Sequence, residues 1–146
     1  MTMVKAAVIY GRKDIRFEKT NIPDHAPDEV QIEVAVNGIC GSDIHEYLEG
    51  MDLATIPHPL THMQAPLIPG HEFSGTISKI GKQVSKLRIG DKVAVEPMIA
   101  CGKCPECLSG HYNWCEHAIG SDQSAGFLGF SANGGLAAKC NVKSTF

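Results

Sequence analysis

The sequence predicts a mainly β domain, folded as a partly open β-barrel with short helices and one irregular cysteine-bearing lobe. Two observations lead to this prediction. Several short segments rich in β-branched residues alternate apolar and polar positions, as half-buried strands do. Glycine and proline, with 15 and 8 residues among 146, interrupt these segments at short intervals. Many short strands separated by such turns are typical of a barrel.

The strands are predicted from their alternating apolar residues and from the turn residues between them. The predicted strands are residues 3–10, 15–18, 30–36, 73–80, 92–95 and 136–142. The first two form a hairpin. In the third, Val30, Ile32, Val34 and Val36 alternate along one face, which predicts a strand with one buried side.

Three further segments complete the predicted architecture. Ser42 can act as the N-cap of a short helix that ends near residue 48. Residues 50–69 contain four prolines and are expected to form a long surface loop in which His58 is exposed to solvent. Residues 98–119 form the cysteine-bearing lobe, which Trp114 is expected to pack.

Composition excludes several classes of function. The net charge of −3 argues against a nucleic-acid surface, which is normally basic. No apolar run approaches the roughly 20 residues that a membrane span needs, so no membrane partner is expected. Six cysteines without a recognisable leader indicate a reducing, cytoplasmic compartment.

Four cysteines of the lobe stand in one short motif. Cys101, Cys104, Cys107 and Cys115 have the spacing C-x2-C-x2-C-x7-C. Four thiolates this close in sequence can surround one zinc ion tetrahedrally, which leaves no open position and makes the site structural. Two disulfides are the alternative, although the spacing suits a metal and nothing indicates secretion.

A second set of metal-binding residue types comes from two separate segments. Cys40 lies in the segment GICGSDIH, and His71 and Glu72 lie in the segment PGHEFSG. A thiolate, an imidazole and a carboxylate are all ligands that zinc accepts. Three protein ligands would leave a fourth position for water or substrate, which is the catalytic arrangement.

Three residues lie outside both sets. Cys140 stands on an alternating strand and is expected to fill the core as a small apolar residue. His111 and His117 flank the last cysteine of the lobe and could compete as ligands, although four cysteines suffice.

These motifs together resemble the zinc-dependent medium-chain dehydrogenases. The resemblance rests on CGSDIH at 40–45, GHE at 70–72, the four-cysteine lobe, and the glycines, valines and aspartate of 81–93, and it extends from residue 5 to 142. Residues 58–67 and 126–135 look most like butanediol (acetoin-reducing) dehydrogenases. Sorbitol and threonine dehydrogenases are near neighbours.

The resemblance implies a GroES-like barrel and a chemistry. Zinc would act as a Lewis acid on a secondary alcohol or diol, such as 2,3-butanediol, while hydride passes to NAD. Cys40 and His71 match the family's zinc ligands. Glu72 matches a glutamate that binds zinc in polyol-type members and lies just outside the ligands in others, and both roles stay open.

The resemblance also implies roles for the helix that follows Cys40. Ser42 and His45 match the pair that relays a proton from the alcohol toward bulk water. Helix capping is the alternative for Ser42, and an ordinary exposed helix position is the alternative for His45. Asp43 is expected to orient His71, unless it only caps the helix.

The cofactor domain that the resemblance implies has no counterpart in the sequence. A Rossmann unit would show G-x-G-x-x-G between a strand and a helix, and residues 1–146 contain no such segment. The chain is therefore expected to be a truncated catalytic domain that does not bind NAD and is inactive alone. A further zinc ligand would come from later sequence, so the Cys40 site is expected to be metal-poor.

Two expectations follow from the missing cofactor domain. Bare apolar surface and an unpaired strand edge near the end of the sequence predict self-association. A non-catalytic zinc-binding GroES-like module that acts in assembly or scaffolding is the alternative function, but such a module has no use for the pair Ser42 and His45.

Overall fold

A computed structural model describes residues 1–50, 56–118 and 126–144. The strands are β1 Thr2–Gly11, β2 Asp14–Ile22, β3 Glu29–Asn37, β4 Phe73–Ile80, β5 Lys92–Ala94, β6 Met98–Ile99, β7 Gly126–Phe127 and β8 Lys139–Lys143. The helices are α1 Gly41–Glu49 and α2 Pro105–Leu108, with a 3-10 helix at Tyr112–Trp114. The mainly β architecture is confirmed, and no helix in the described part is long and apolar enough to cross a membrane.

Three antiparallel units make up the fold. β1 and β2 form a hairpin, β5-β4-β3-β8 form a four-stranded sheet, and β6 pairs with β7. Single bridges from Ala6 to Ala137 and from Ile9 to Leu67 tie the hairpin to the rest. In the described residues these sheets do not close into a continuous ring, which fits the partly open β fold that the sequence predicts.

The main core lies between the four-stranded sheet and the strands that lead to the lobe. Its buried members are Val30, Ile32, Phe73, Ile77, Ile99, Leu128, Cys140 and Val142. Cys140 is 2% exposed, and burial raises the pKa of its thiol to about 12. It fills space as a neutral apolar group, as predicted.

The predicted alternation along β3 holds for Val30 and Ile32, which are buried, and fails at Val36, which is 65% exposed. The register with β4 shifts between Val34 and Val36, where Ala35 has no partner, so this extra residue changes the face on which Val36 lies. Gln31, on the opposite face from Val30 and Ile32, is also fully buried and donates from its amide to Asn141 at 3.1 Å.

The region predicted as a long surface loop is partly built into the fold. Residues 51–55 lie outside the described part of the chain. Beyond them, Leu67 pairs with Ile9, and His58 is buried with its Nε2 2.9 Å from the carbonyl oxygen of Ala118. The expectation that His58 is exposed was wrong, because its imidazole links this segment to the base of the lobe.

The last predicted strand begins later than expected. Regular pairing with β3 starts at Lys139, and Ala137 makes only its single bridge to Ala6. Just before it, Gly134 and Gly135 pass close to the segment that precedes β4, where Gly134 N–H donates to the Ile68 carbonyl at 2.7 Å. This crossing sets the position of the residues that follow Gly70.

Candidate metal centres

Helix α1 carries the first candidate centre at its N-terminus. Cys40 is the N-cap, and its backbone N–H donates to the Asp43 carboxylate at 2.9 Å. The prediction that Ser42 caps the helix was wrong, since Ser42 lies inside the first turn. Its hydroxyl faces His71, with Oγ 3.4 Å from Nε2.

The β1–β2 turn holds the other end of α1. The last carbonyls of a helix have no partner within the helix and need one from elsewhere. Here Lys13 N–H donates to the Tyr47 carbonyl at 2.7 Å, and Arg12 Nε donates to the Leu48 carbonyl at 2.6 Å. The hairpin therefore fixes the helix that positions Cys40.

Two glycines let the second segment approach the first. Gly70 has a φ of +95°, which turns the chain immediately before His71. Gly38 N–H donates to the Glu72 carbonyl at 2.7 Å, and a Cβ at position 38 would stand 2.7 Å from Glu72 Oε2. A Cβ at position 38 would therefore collide with Glu72, and one at position 70 would be strained by the positive φ and would collide with Asn37.

The three predicted ligand residues come together in space. Donor atoms of Cys40, His71 and Glu72 all lie within 4.8 Å of one another. They offer one sulfur, one nitrogen and one oxygen, a donor set that suits zinc. Cys40 and His71 are partly buried, whereas Glu72 is exposed, so the cluster opens toward solvent on one side.

Three contacts orient the His71 ring. Its Nδ1 lies 3.5 Å from Asp43 Oδ1, and its centroid lies 4.9 Å from that of Phe130 at a tilt of 42°. Since Nδ1 faces Asp43, Nε2 is the nitrogen left to bind a metal, on the side where Ser42 lies. Sequence reasoning did not single out Phe130 for this role, and its place between glycines was the available signal.

The predicted relay residue His45 lies on the solvent side of α1. It is exposed and stands three residues after Ser42, so both project from neighbouring positions of the helix surface. The structure therefore brings the Ser42 hydroxyl to the cluster and leaves His45 exposed on α1.

The second candidate centre gathers the four cysteines of the lobe. Donor sulfurs of Cys101, Cys104, Cys107 and Cys115 all lie within 4.8 Å of one another. Cys101 Sγ and Cys107 Sγ are 3.9 Å apart. Sulfurs bound to one zinc at about 2.3 Å stand about 3.8 Å apart along the edge of a tetrahedron. The arrangement fits a zinc ion surrounded by sulfur.

Backbone donors support negative charge on these sulfurs. The N–H groups of Lys103 and Cys104 donate to Cys101 Sγ at 3.4 and 3.3 Å. The donation from Lys103 is the main cause that lowers the pKa of Cys101 to about 6. Burial instead raises the pKa of Cys107 to about 12, which leaves this thiol dependent on a cation for ionisation.

All six cysteines are free thiols in the structure, so the disulfide alternative for the lobe finds no support. The expectation that Trp114 packs the lobe was wrong. Trp114 is 64% exposed and stacks on His111, with ring centroids 5.2 Å apart. Little apolar packing remains inside the lobe, whose buried members are Ala100, Cys104, Cys115 and Ala118.

Comparison with known proteins identifies the fold and the class. Residues 26–146 match the family model for the alcohol dehydrogenase GroES-like domain. The (R,R)-butanediol dehydrogenase of Bacillus subtilis is 42% identical over 134 residues, covering 90% of this chain and 36% of that protein. The crystal structure of 2R,3R-butanediol dehydrogenase from B. subtilis superposes with a TM-score of 0.80 at 39% identity, covering 96% of this chain and 38% of that one.

A further solved structure shows the same fold with its cofactor. An alcohol dehydrogenase from E. coli CFT073, complexed with NADH, matches with a TM-score of 0.76 at 30% identity, covering 99% of this chain and 37% of that one. The chain belongs to the alcohol dehydrogenase GroES-like domain family. The predicted GroES-like fold and the resemblance to butanediol dehydrogenases are confirmed. The chain spans little more than a third of the length of these relatives.

Proposed function

We propose that this chain forms the zinc-bearing catalytic domain of a dehydrogenase that exchanges hydride between a secondary alcohol or diol, such as 2,3-butanediol, and NAD. The observation that carries the proposal is the convergence of Cys40, His71 and Glu72 beside the hydroxyl of Ser42. A purely structural metal site would not need a hydroxyl at this place, nor an open side toward solvent.

Cys40 and His71 would hold the zinc ion, with Glu72 as the third donor. When bound there, zinc supplies Lewis acidity that favours the ionised form of an alcohol. Asp43 Oδ1 lies 3.5 Å from His71 Nδ1 and favours an orientation in which Nε2 is directed at the cluster, while the Phe130 ring packs against the imidazole. Glu72 is exposed and is therefore the donor most easily displaced by substrate.

Ser42 and His45 would move the proton. The Ser42 hydroxyl accepts the proton that the alcohol gives up and donates its own toward His45, whose exposed ring passes it to water. A positioned acid–base relay of this kind contributes about 10²–10⁴-fold to rate. A nicotinamide bound by another part of the enzyme would supply the hydride acceptor, so that the alcohol would lose one hydrogen from carbon as hydride and one from oxygen as a proton.

The nicotinamide must be held by other parts of a whole enzyme. The similarity to an alcohol dehydrogenase complexed with NADH supports this cofactor class, and the chain spans 37% of that protein. Hydride transfer needs the nicotinamide held against the substrate at near-attack distance. We therefore propose that residues 1–146 contribute the catalytic domain and that a separate Rossmann domain contributes the cofactor.

Cobalt-substituted chain tests the proposed alcohol site. Cobalt at the Cys40 cluster should show a visible spectrum that changes when 2,3-butanediol is added, because the alcohol enters the open coordination position. Cys40→Ser should abolish the response, and Cys107→Ala should keep it.

The isolated chain should produce no NADH from NAD and the diol. A spectrum indifferent to saturating diol would overturn the alcohol site, and turnover by the isolated chain would overturn the need for a separate domain.

A non-catalytic role in assembly is the second candidate, and an exposed apolar groove favours it. The groove has a volume of about 580 Å³ and lies between β3 and the β1–β2 hairpin. At its rim, Phe17 is 90% exposed and Val36 is 65% exposed. An assembly module would use this surface and would show no cobalt response to the diol.

Self-association of the chain is expected through the same groove. Phe17→Ser should shift sedimentation of the purified chain toward the monomer, because it removes a large apolar side chain from the exposed rim. Ile89→Ser is the matched control, since Ile89 is 67% exposed but does not line the groove. A wild-type chain that sediments as a monomer at high concentration would refute this expectation.

A further inference from the structure

The four-cysteine lobe contains a second set of metal donors that overlaps the first. Donor atoms of Cys104, Glu116 and His117 all lie within 4.8 Å of one another. Cys104 also belongs to the four-sulfur set, and Glu116 and His117 directly follow Cys115 in the chain. The fold therefore places an oxygen and a nitrogen donor beside a sulfur that already faces a candidate ion.

The position of His117 suits coordination rather than chance proximity. Its Nδ1 lies 3.6 Å from Cys101 Sγ. A ring nitrogen of His117 and a carboxylate oxygen of Glu116 also both lie within 4.8 Å of the Cys104 sulfur, which belongs to the four-sulfur set. His111, the other histidine of the lobe, instead stacks on Trp114 and contacts Ser109 Oγ at 3.0 Å. Only His117 of these two has its ring nitrogen at the cysteine cluster.

Charge and exposure favour a second cation at this place. Four thiolates around one zinc ion leave two excess negative charges, and Glu116 adds a third beside them. A second divalent ion would offset this charge over short distances. Cys104 is buried, whereas Glu116 and His117 are exposed, so the second position lies at the surface of the lobe and opens to solvent.

We propose that the lobe holds two metal ions: a closed four-sulfur ion, and a second, exchangeable ion of the zinc or cadmium class bound by Glu116 and His117 with the Cys104 sulfur shared between them. The thiolate sulfur of Cys104 has lone pairs enough to bind both ions. The second ion keeps open positions for water, so it is bound more weakly than the first and exchanges with ions in solution.

Cadmium titration of the full 146-residue chain tests the proposal. The Cys40→Ser variant removes the other centre from the count and should bind two cadmium ions. Adding His117→Ala or Glu116→Gln should reduce the count to one, whereas adding His111→Ala should leave it at two. Because Cys104 is shared, the ¹¹³Cd resonance of the four-sulfur ion should move as the second ion binds.

Three results would overturn the proposal. One ion bound in the Cys40→Ser chain would exclude the second position. An unchanged count after His117→Ala would exclude the named ligands. A second ion that leaves the four-sulfur resonance unmoved would exclude the shared sulfur. Retention of the four-sulfur signal in every variant shows that the lobe remains folded, which separates loss of the second site from loss of structure.

Discussion

Cys107→Ala is expected to release the lobe between residues 98 and 118 from the rest of the fold. Among the described residues of the lobe, the buried cluster around the sulfurs consists of four small side chains, so we expect a metal ion to supply most of the energy that orders the lobe. Structural zinc contributes on the order of 10–16 kcal/mol of apparent binding free energy in small zinc-finger peptides. The variant should lose its tightly held ion and become cleavable by protease within the lobe.

Limited proteolysis with mapping of the first cleavage sites measures this effect. The matched control is Cys140→Ala, because Cys140 is a buried thiol of the main core that belongs to neither donor set. That change should lower the stability of the barrel modestly and leave the lobe resistant. Equal resistance of the lobe in the wild type and in Cys107→Ala would show that packing, and not a metal ion, holds it.

Gly134→Ala is expected to disturb both the stability of the fold and the Cys40 cluster. A Cβ at this position would stand 2.0 Å from the Gly70 carbonyl oxygen and 2.8 Å from Gly129 Cα. Both neighbours are backbone, which cannot rotate away, so the segment that leads to His71 must shift. Overpacking of this kind costs about 1–3 kcal/mol, which lowers Tm by roughly 3–10 °C in a domain of this size.

Thermal unfolding measures the loss of stability in Gly134→Ala, and cobalt binding measures the disturbance of its Cys40 cluster. Gly11→Ala is the matched control, because a Cβ there meets no atom within 4 Å. It should change neither Tm nor the cobalt spectrum by much. If Gly134→Ala had the Tm of the wild type, the backbones of Gly134, Gly70 and Gly129 would be packed less closely than the structure shows.

The strands could be predicted because alternation of apolar and polar residues is a local pattern. Both candidate centres could be predicted because cysteine and histidine are common metal ligands. β4 was predicted with the bounds it has, because Phe73, Gly75 and Ile77 alternate along one face of the strand. The four cysteines are close in the chain and so lie close in space. The segments around Cys40 and His71 are distant in the chain, and their donors were expected to meet because of the family resemblance. Which donors bind metal remains a prediction.

The features that were predicted wrongly or not at all depend on contacts between segments that are distant in the sequence. An extra residue in β3 at Ala35 turns Val36 to the exposed face, and nothing in the sequence marks where it occurs. His58 is buried because a carbonyl of a distant segment accepts from its ring. Phe130 reaches His71 through a glycine-rich crossing whose path depends on the whole fold.

The metal content of intact chains tests the central claim most directly, namely that the four cysteines of the lobe form a closed metal centre that is independent of the Cys40 cluster. Native mass spectrometry of purified wild type, Cys40→Ser and Cys107→Ala would count tightly held zinc. One retained ion is expected in the wild type and in Cys40→Ser, and none is expected in Cys107→Ala. A zinc-free wild-type chain whose mass rises on reduction by the four hydrogens of two disulfides would contradict the account. Loss of the tightly held ion in Cys40→Ser would contradict it as well.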